Sequence, residues 1–229
     1  MKDEHALIDR KYWNDQHSLL RRQLERAQDF SKAIELFIGH HGMVHTAKLG
    51  GYGSFQDEVL QGLSDKQMRI IPAGRANSVA WMLWHITRIE DVTMNVLLAD
   101  APQVFYRGDW QSKTNSLFVD VGNEMTAKEI RVLSESVNLN GLLAYRLAVG
   151  KRTRQIAGKL NVEKLKEKPA PQRLARLLED GTVREQAQWL LKYWGRHPQT
   201  NLLLMPATRH AFVHLNEIGR MLPALRKLC

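Results

Sequence analysis

Cysteine is almost missing from this chain: its one cysteine, Cys229, is the last residue. No disulfide can form within the chain, and a reducing compartment fits that usage. Long apolar runs are missing too, since none approaches the roughly 20 residues a membrane-spanning helix needs. The opening Met1-Lys-Asp-Glu-His is charged and has no signal-peptide core, so the expectation is a cytoplasmic protein with no membrane partner. Seven prolines and fifteen glycines among 229 residues are too few for a disordered or fibrous chain. Repeats, low-complexity tracts and strand-like alternation are absent, which leaves an all-α chain with a core of ordinary size.

Positive charge is in surplus. The net charge is +9, and ten Lys or Arg between Arg146 and Arg176 stand against Glu163 and Glu167, a net +8. Such a segment could meet phosphates, but no zinc-finger spacing, RNA-binding aromatic signature or helix-turn-helix accompanies it. A solvated face of helices is the simpler reading, and nucleic acid is not the expected partner.

Apolar residues at Leu19, Leu20, Leu24, Ala27, Phe30, Ala33, Leu36 and Phe37 predict one long helix over 14–49, closed by Gly50-Gly51-Tyr52-Gly53. Residues 1–13 read as a loosely ordered arm on a single helical domain covering 1–229. Ser64-Asp-Lys-Gln67 is a capping box, and Asn77 or Ser78 caps a second long helix reaching Leu98. An irregular connection over 100–124 follows. Thr126-Ala-Lys-Glu129 opens a third helix to about Gly158, with an interruption at 138–141. Thr182-Val-Arg-Glu185 caps a shorter helix that carries Leu190, Leu191 and Trp194. The last helix starts at Pro206 and runs to Arg226, with Pro223 expected to fray its end. Four long helices with short helical additions predict an antiparallel four-helix bundle.

Histidine placement carries the functional signal. His210 and His214 are four residues apart on a helix and so share a face. His85 lies in the apolar stripe of the second long helix, where an imidazole needs a partner. Each alone reads as an ordinary histidine. Together they supply three neutral imidazoles to one divalent ion and leave a coordination position open, the catalytic rather than the structural arrangement. His41 and His45 have the same spacing, but they lie among Gly, Thr and Lys beside a glycine-rich turn and read as surface or supporting residues. Glu217 can be a further ligand, a catalytic general base or the orienting partner of a histidine; it can also pair with Arg220 on a solvated face. Arg88 and Arg209 are candidates to receive an anionic substrate. Trp81, Trp84 and Tyr145 read as core.

These residues resemble a known family. Asn77-Ser-Val-Ala-Trp-Met-Leu-Trp-His85-Ile-Thr-Arg-Ile-Glu-Asp91 is similar to the second-helix signature of the DinB/YfiT-like metalloenzyme superfamily. Pro206-Ala-Thr-Arg-His210-Ala-Phe-Val-His214-Leu-Asn-Glu217 resembles its fourth-helix histidine pair, and Gly62–Gln67 with Pro72 resembles the lead-in to helix two. The likeness spans roughly 15–226. It implies a DinB-like four-helix fold, a homodimer, and a divalent metal (nickel or zinc, with iron a further candidate) held by His85, His210 and His214. Characterised relatives include thiol-dependent S-transferases, so the resemblance also implies a low-molecular-weight thiol cofactor and a small-molecule substrate. This chain departs from the compact family pattern by added material at about 100–124 and 160–200, placed to shape a pocket mouth. The rival readings are a non-catalytic dimeric stress or partner-binding bundle and, behind it, a nucleic-acid binder.

Overall fold

The computed structural model describes residues 9–26, 30–51 and 53–228. The start of the expected arm, Ala27 of the first apolar stripe, Tyr52 and Cys229 lie outside the described residues. Where one long helix was expected there are three: α1 (Arg10–Arg26), α2 (Phe30–Met43) and α3 (Ala47–Gly50). Residues 10–13 belong to α1 rather than to a loose arm, because Trp13 is wholly buried and stacks on Phe212 with ring centroids 3.8 Å apart. The chain leaves α2 at Met43, turns His45 inward, and restarts at Thr46, whose hydroxyl accepts from Lys48 N. Gly51, at φ +80°, closes α3 in the left-handed region that glycine tolerates.

Next come α4 (Phe55–Leu60) and α5 (Asp65–Arg69), and α5 opens on the expected Ser64/Gln67 capping box. The central helix α6 (Val79–Asp91) begins where Ser78 Oγ accepts from Trp81 N at 3.0 Å. It continues into a wider π-helical segment, Val92–Leu98. Every one of the 13 residues of α6 is buried. The 100–124 connection carries α7 (Val104–Arg107) and α8 (Trp110–Thr114). The Thr126/Glu129 capping box opens α9 (Ala127–Ser136), and Asn138 caps α10 (Leu139–Ala157) at the expected interruption. There follow α11 (Val162–Lys166), α12 (Pro171–Glu179), α13 (Trp189–Arg196) and α14 (Thr200–Leu204). A π-helical segment, Met205–Arg209, then leads into α15 (His210–Leu225).

Two expectations change. Thr182 caps no helix: its side chain is buried and accepts from Gln103 Nε2 at 2.9 Å, and a short 3-10 turn at Glu185–Ala187 follows. Pro223 lies within α15, which runs on to Leu225. Among the described residues there is no strand, so the chain is all-α, and no described helix is long and apolar enough to cross a membrane.

Packing follows from α6. It lies against α5, α9, α10 and α15. One apolar cluster surrounds it with Trp13, Phe55, Tyr145, Phe212 and Leu215, and a second joins its π-helical continuation to Phe37, Leu177, Trp194 and Leu203. Each such side chain stabilises the fold by roughly 1.5–3 kcal/mol relative to exposure. The polar residues of α6 are matched one by one. Asp91 accepts from the backbone N–H groups of Val104 (2.8 Å) and Phe105 (2.9 Å), and from Tyr145 OH (2.5 Å). It thereby fixes the start of α7, a face of α10 and the Arg88 guanidinium through one carboxylate.

The basic segment is partly turned inward. Arg146 is buried and donates to Gln56 Oε1 and to Val44 O (2.8 Å). Arg154 donates to Leu49 O (2.8 Å) and Ile38 O (3.0 Å), and Arg173 to Leu97 O (2.9 Å). These cations serve as fasteners between helices.

Asp91→Ala is expected to lower unfolding free energy by about 3–5 kcal/mol, the cost of leaving a buried cation and its donors unmatched. Lys11→Ala, which removes the exposed pair with Asp15, is expected to cost under about 1 kcal/mol. Urea unfolding of both variants checks the contrast.

Candidate metal centre

Three imidazoles meet where α6 passes the start of α15. His85 comes from the buried helix, and His210 and His214 come from the first turns of α15. Their candidate ligand atoms all lie within 4.8 Å of one another. His85 Nε2 and His210 Nε2 are 3.1 Å apart. Two nitrogens bound tetrahedrally at the usual zinc–imidazole length of 2.0–2.1 Å would be separated by about 3.3 Å. The structure thus brings together the three histidines that the sequence singled out.

Each ring is aimed by what its other nitrogen does. His85 Nδ1–H donates to Val121 O at 2.6 Å, which leaves Nε2 bare. Trp81 stacks on the same ring with centroids 4.8 Å apart. His214 Nδ1–H donates to Glu217 Oε2 at 2.7 Å, again leaving Nε2. His210 Nδ1 is buried without a partner. Such outer partners hold the tautomer and orientation that a metal ligand requires. Burial, followed by the neighbouring His214, pushes the His85 imidazole down to about 3. Burial, then His85 and His214, holds His210 well below its ordinary value. Both rings are therefore neutral at neutral pH, with lone pairs available. Three imidazole nitrogens suit a borderline divalent ion, and the residues present fit such a group.

The 119–121 segment is the splint of the site. Its successive carbonyls accept from Arg88 (Nη2 to Val119 O, 2.6 Å), Trp84 (Nε1 to Asp120 O, 3.1 Å) and His85. Arg184 secures the segment through Asp120 at 3.0 Å, and Val121 N donates to Thr182 O at 3.0 Å. Backbone carbonyls leave no sequence signal, so this support was not foreseen.

Other expected site residues fall elsewhere. Arg88 is wholly buried and its N–H groups meet Val119 O, Tyr145 OH, Gln103 Oε1 and Asp91, which uses the full donor fork of a guanidinium. It is placed as a structural clamp, not as a receptor for an anion. Arg209 donates to Asn14 Oδ1 at 3.0 Å and lies over Trp13, tying α15 to α1. Glu217 meets His214, and its hydrogen bond with His214 holds its carboxyl below the usual range despite partial burial. That contact is the one an orienting partner of His214 would make.

His41 and His45 are not surface residues. Both are fully buried, and their Nε2–H groups donate to the two oxygens of Glu90, each at 2.8 Å. Thr153 Oγ1 donates to the same carboxylate at 2.7 Å. The packing is tight, since a Cβ on Gly150 of α10 would come within 2.8 Å of the His45 ring. His41, His45 and Glu90 form a second group with metal-ligand chemistry. Here, however, the nitrogens already donate to the carboxylate, and the Arg146 charge acts on Glu90. A cation added there would leave a surplus of buried positive charge. The cluster reads as a buried lock joining α2, α6 and α10.

The three-histidine group has an open side. A cleft of about 280 Å³ lies against His85 and His210, walled by Ile89, Leu190, Trp194 and Tyr193, with Trp189 among its lining residues. Its aromatic wall comes from α13, and Asn123 joins from the 100–124 connection. The Trp189, Tyr193, Trp194 spacing was a readable sign of an aromatic face; Asn123 had none.

A family model for the DinB superfamily matches residues 56–205, which takes in His85 and ends just before His210 and His214. No curated protein matches the chain.

Two outcomes are expected. His40, His45 and His85 are each held by burial at about 3 against an ordinary 6.5. The unfolded chain therefore binds protons that the folded chain refuses between those values. Stability of the metal-free protein is full above about pH 6.5 and falls with acidification by up to ~1.4 kcal/mol per pH unit for each histidine; urea unfolding at pH 7.5, 6 and 5 checks this. Glu217→Ala is expected to weaken metal affinity about 10–100-fold while leaving the fold intact, read by competition with a chelating dye.

Proposed function

The chain belongs to the DinB superfamily, and from that membership we propose that it is a divalent-metal-dependent enzyme acting at His85, His210 and His214. The observation that carries the reading is the pairing of three convergent imidazoles with a cleft beside His85 and His210. A structural site closes its coordination sphere with protein, whereas this one faces a pocket. Nickel or zinc is the favoured ion, with iron a further candidate.

A bound divalent ion at such a site lowers the pKa of a coordinated thiol or water, supplying a nucleophile at neutral pH. The protein's own residues do the rest. Val121 O and Glu217 fix two imidazole tautomers. The apolar wall of Ile89, Leu190 and Trp194 excludes water and strengthens every charge interaction inside the cleft. The preferred substrate system is a low-molecular-weight thiol and a small electrophile, an S-transferase type of reaction; water in place of the thiol gives a hydrolase.

The test is elemental analysis of untagged protein prepared without chelator, beside a His85→Ala/His214→Ala double variant. About one metal ion per chain is expected in the wild type, as three convergent ligands dictate, and none in the variant. Addition of a small thiol to the nickel- or cobalt-loaded protein should produce a sulfur-to-metal charge-transfer band. A protein that takes up no zinc, nickel or iron on reconstitution would overturn the proposal.

A further inference from the structure

The cleft beside the histidines also has a chemical selectivity of its own. Its described lining holds no arginine or lysine, and the two arginines nearest the ligands in sequence are committed to Val119, Gln103, Tyr145 and Asn14. A second negative charge on a bound molecule would therefore lose its water without gaining a partner. The walls are instead aromatic and aliphatic, and Trp189 is held at its place by donation from Nε1 to Glu124 Oε1 at 3.2 Å. Within this apolar surround, and apart from the histidines themselves, one polar atom stands unmatched: Asn123 Oδ1 is buried, lines the cleft and has no hydrogen-bond partner. The residue is carried by a built turn, in which Gly122 N donates to Asp120 Oδ1 at 2.8 Å and Met125 N to Gly122 O. Buried acceptors are nearly always matched, so an unmatched one in a binding cleft marks the position of a ligand donor.

We infer that the site takes a compact aromatic molecule, uncharged apart from the atom at the metal, whose N–H or O–H group is received by Asn123. This rests on the metal-enzyme reading above and names the substrate class within it. Asn123 is a specificity-determining residue: it selects among molecules that can all reach the three histidines. A site built to accept a hydrogen bond discriminates strongly against an analogue without the donor, because the acceptor is then left buried and unpaired. The cleft, at about 280 Å³, has room for one or two fused rings.

Three benzimidazoles separate the elements of the inference. Benzimidazole offers one nitrogen to the metal and an N–H to Asn123; 1-methylbenzimidazole lacks the N–H; benzimidazole-5-carboxylate adds a charge to the ring. Each is titrated into the cobalt-loaded full-length protein, read by cobalt visible absorption and by quenching of tryptophan fluorescence. Benzimidazole should bind at least about tenfold tighter than either analogue, the lower range for loss of one matched group. In Asn123→Ala that preference over the methyl analogue should vanish, with the cobalt spectrum of the unliganded protein unchanged. Asn123→Asp, which keeps an acceptor, should retain it. Tightest binding by the carboxylate, or equal binding of benzimidazole and its methyl analogue in the wild type, would overturn the inference even with cobalt in place. Failure to load cobalt would count against the metal reading alone. Fluorescence quenching would still rank the three probes, and the same order would sustain the inference while its absence would overturn it.

Discussion

A helix buried on every side cannot leave a polar group unmatched, and α6 is such a helix while carrying His85, Thr87, Arg88, Glu90 and Asp91. All-round burial normally goes with all-round apolar sequence. Here each polar side chain must instead recruit a partner from a neighbouring element. Thr87 returns its hydroxyl to Leu83 O. Arg88 and Asp91 recruit Tyr145 from α10 and the start of α7. Glu90 recruits His41, His45 and Thr153. His85 recruits Val121 O and the two histidines of α15. The positions of α2, α7, α10 and α15 around the centre are the solution to that one matching problem.

Two histidine groups, built on the same helix, show how surroundings decide chemistry. Glu90 and its histidines are wholly buried, and each Nε2 meets a carboxylate oxygen. His85, His210 and His214 present nitrogens to one another rather than to a carboxylate, and an aromatic cleft lies beside them. Nitrogens that face nitrogens in a buried place are destabilised without a proton or a cation between them. That residual need, more than the count of ligands, sets the second group apart as the functional one.

Much of this was legible in the sequence where the signal was local. Ser64, Ser78 and Thr126 cap helices as their side chains and spacing indicate, and the interruption expected at 138–141 is where α10 starts. The i, i+4 pair on the last helix and the lone histidine of an apolar stripe were enough to pick out His85, His210 and His214. The rest depended on distance along the chain. Nothing near His41 and His45 reveals Glu90, which is 49 and 45 residues away, so two fully buried histidines read as surface or supporting residues. Arg88 looked available because its partners Val119 and Tyr145 lie 31 and 57 residues on. The π-helical segments at Val92–Leu98 and Met205–Arg209 were also invisible, since both keep a helical apolar pattern. The second of them is stitched by Thr208 Oγ1 donating to Leu203 O and Leu204 O, each at 2.9 Å, and it sets the rotation at which His210 enters α15.

The central claim is that three imidazoles of this chain converge on one ion with a side left open. X-ray absorption at the metal edge of zinc- or nickel-loaded protein tests it most directly. The account predicts about three imidazole shells near 2.0–2.1 Å with a lighter remaining position, and one fewer imidazole in His214→Ala. Fewer than three imidazoles in the wild type, or a first shell in which carboxylate oxygen replaces them, would contradict it.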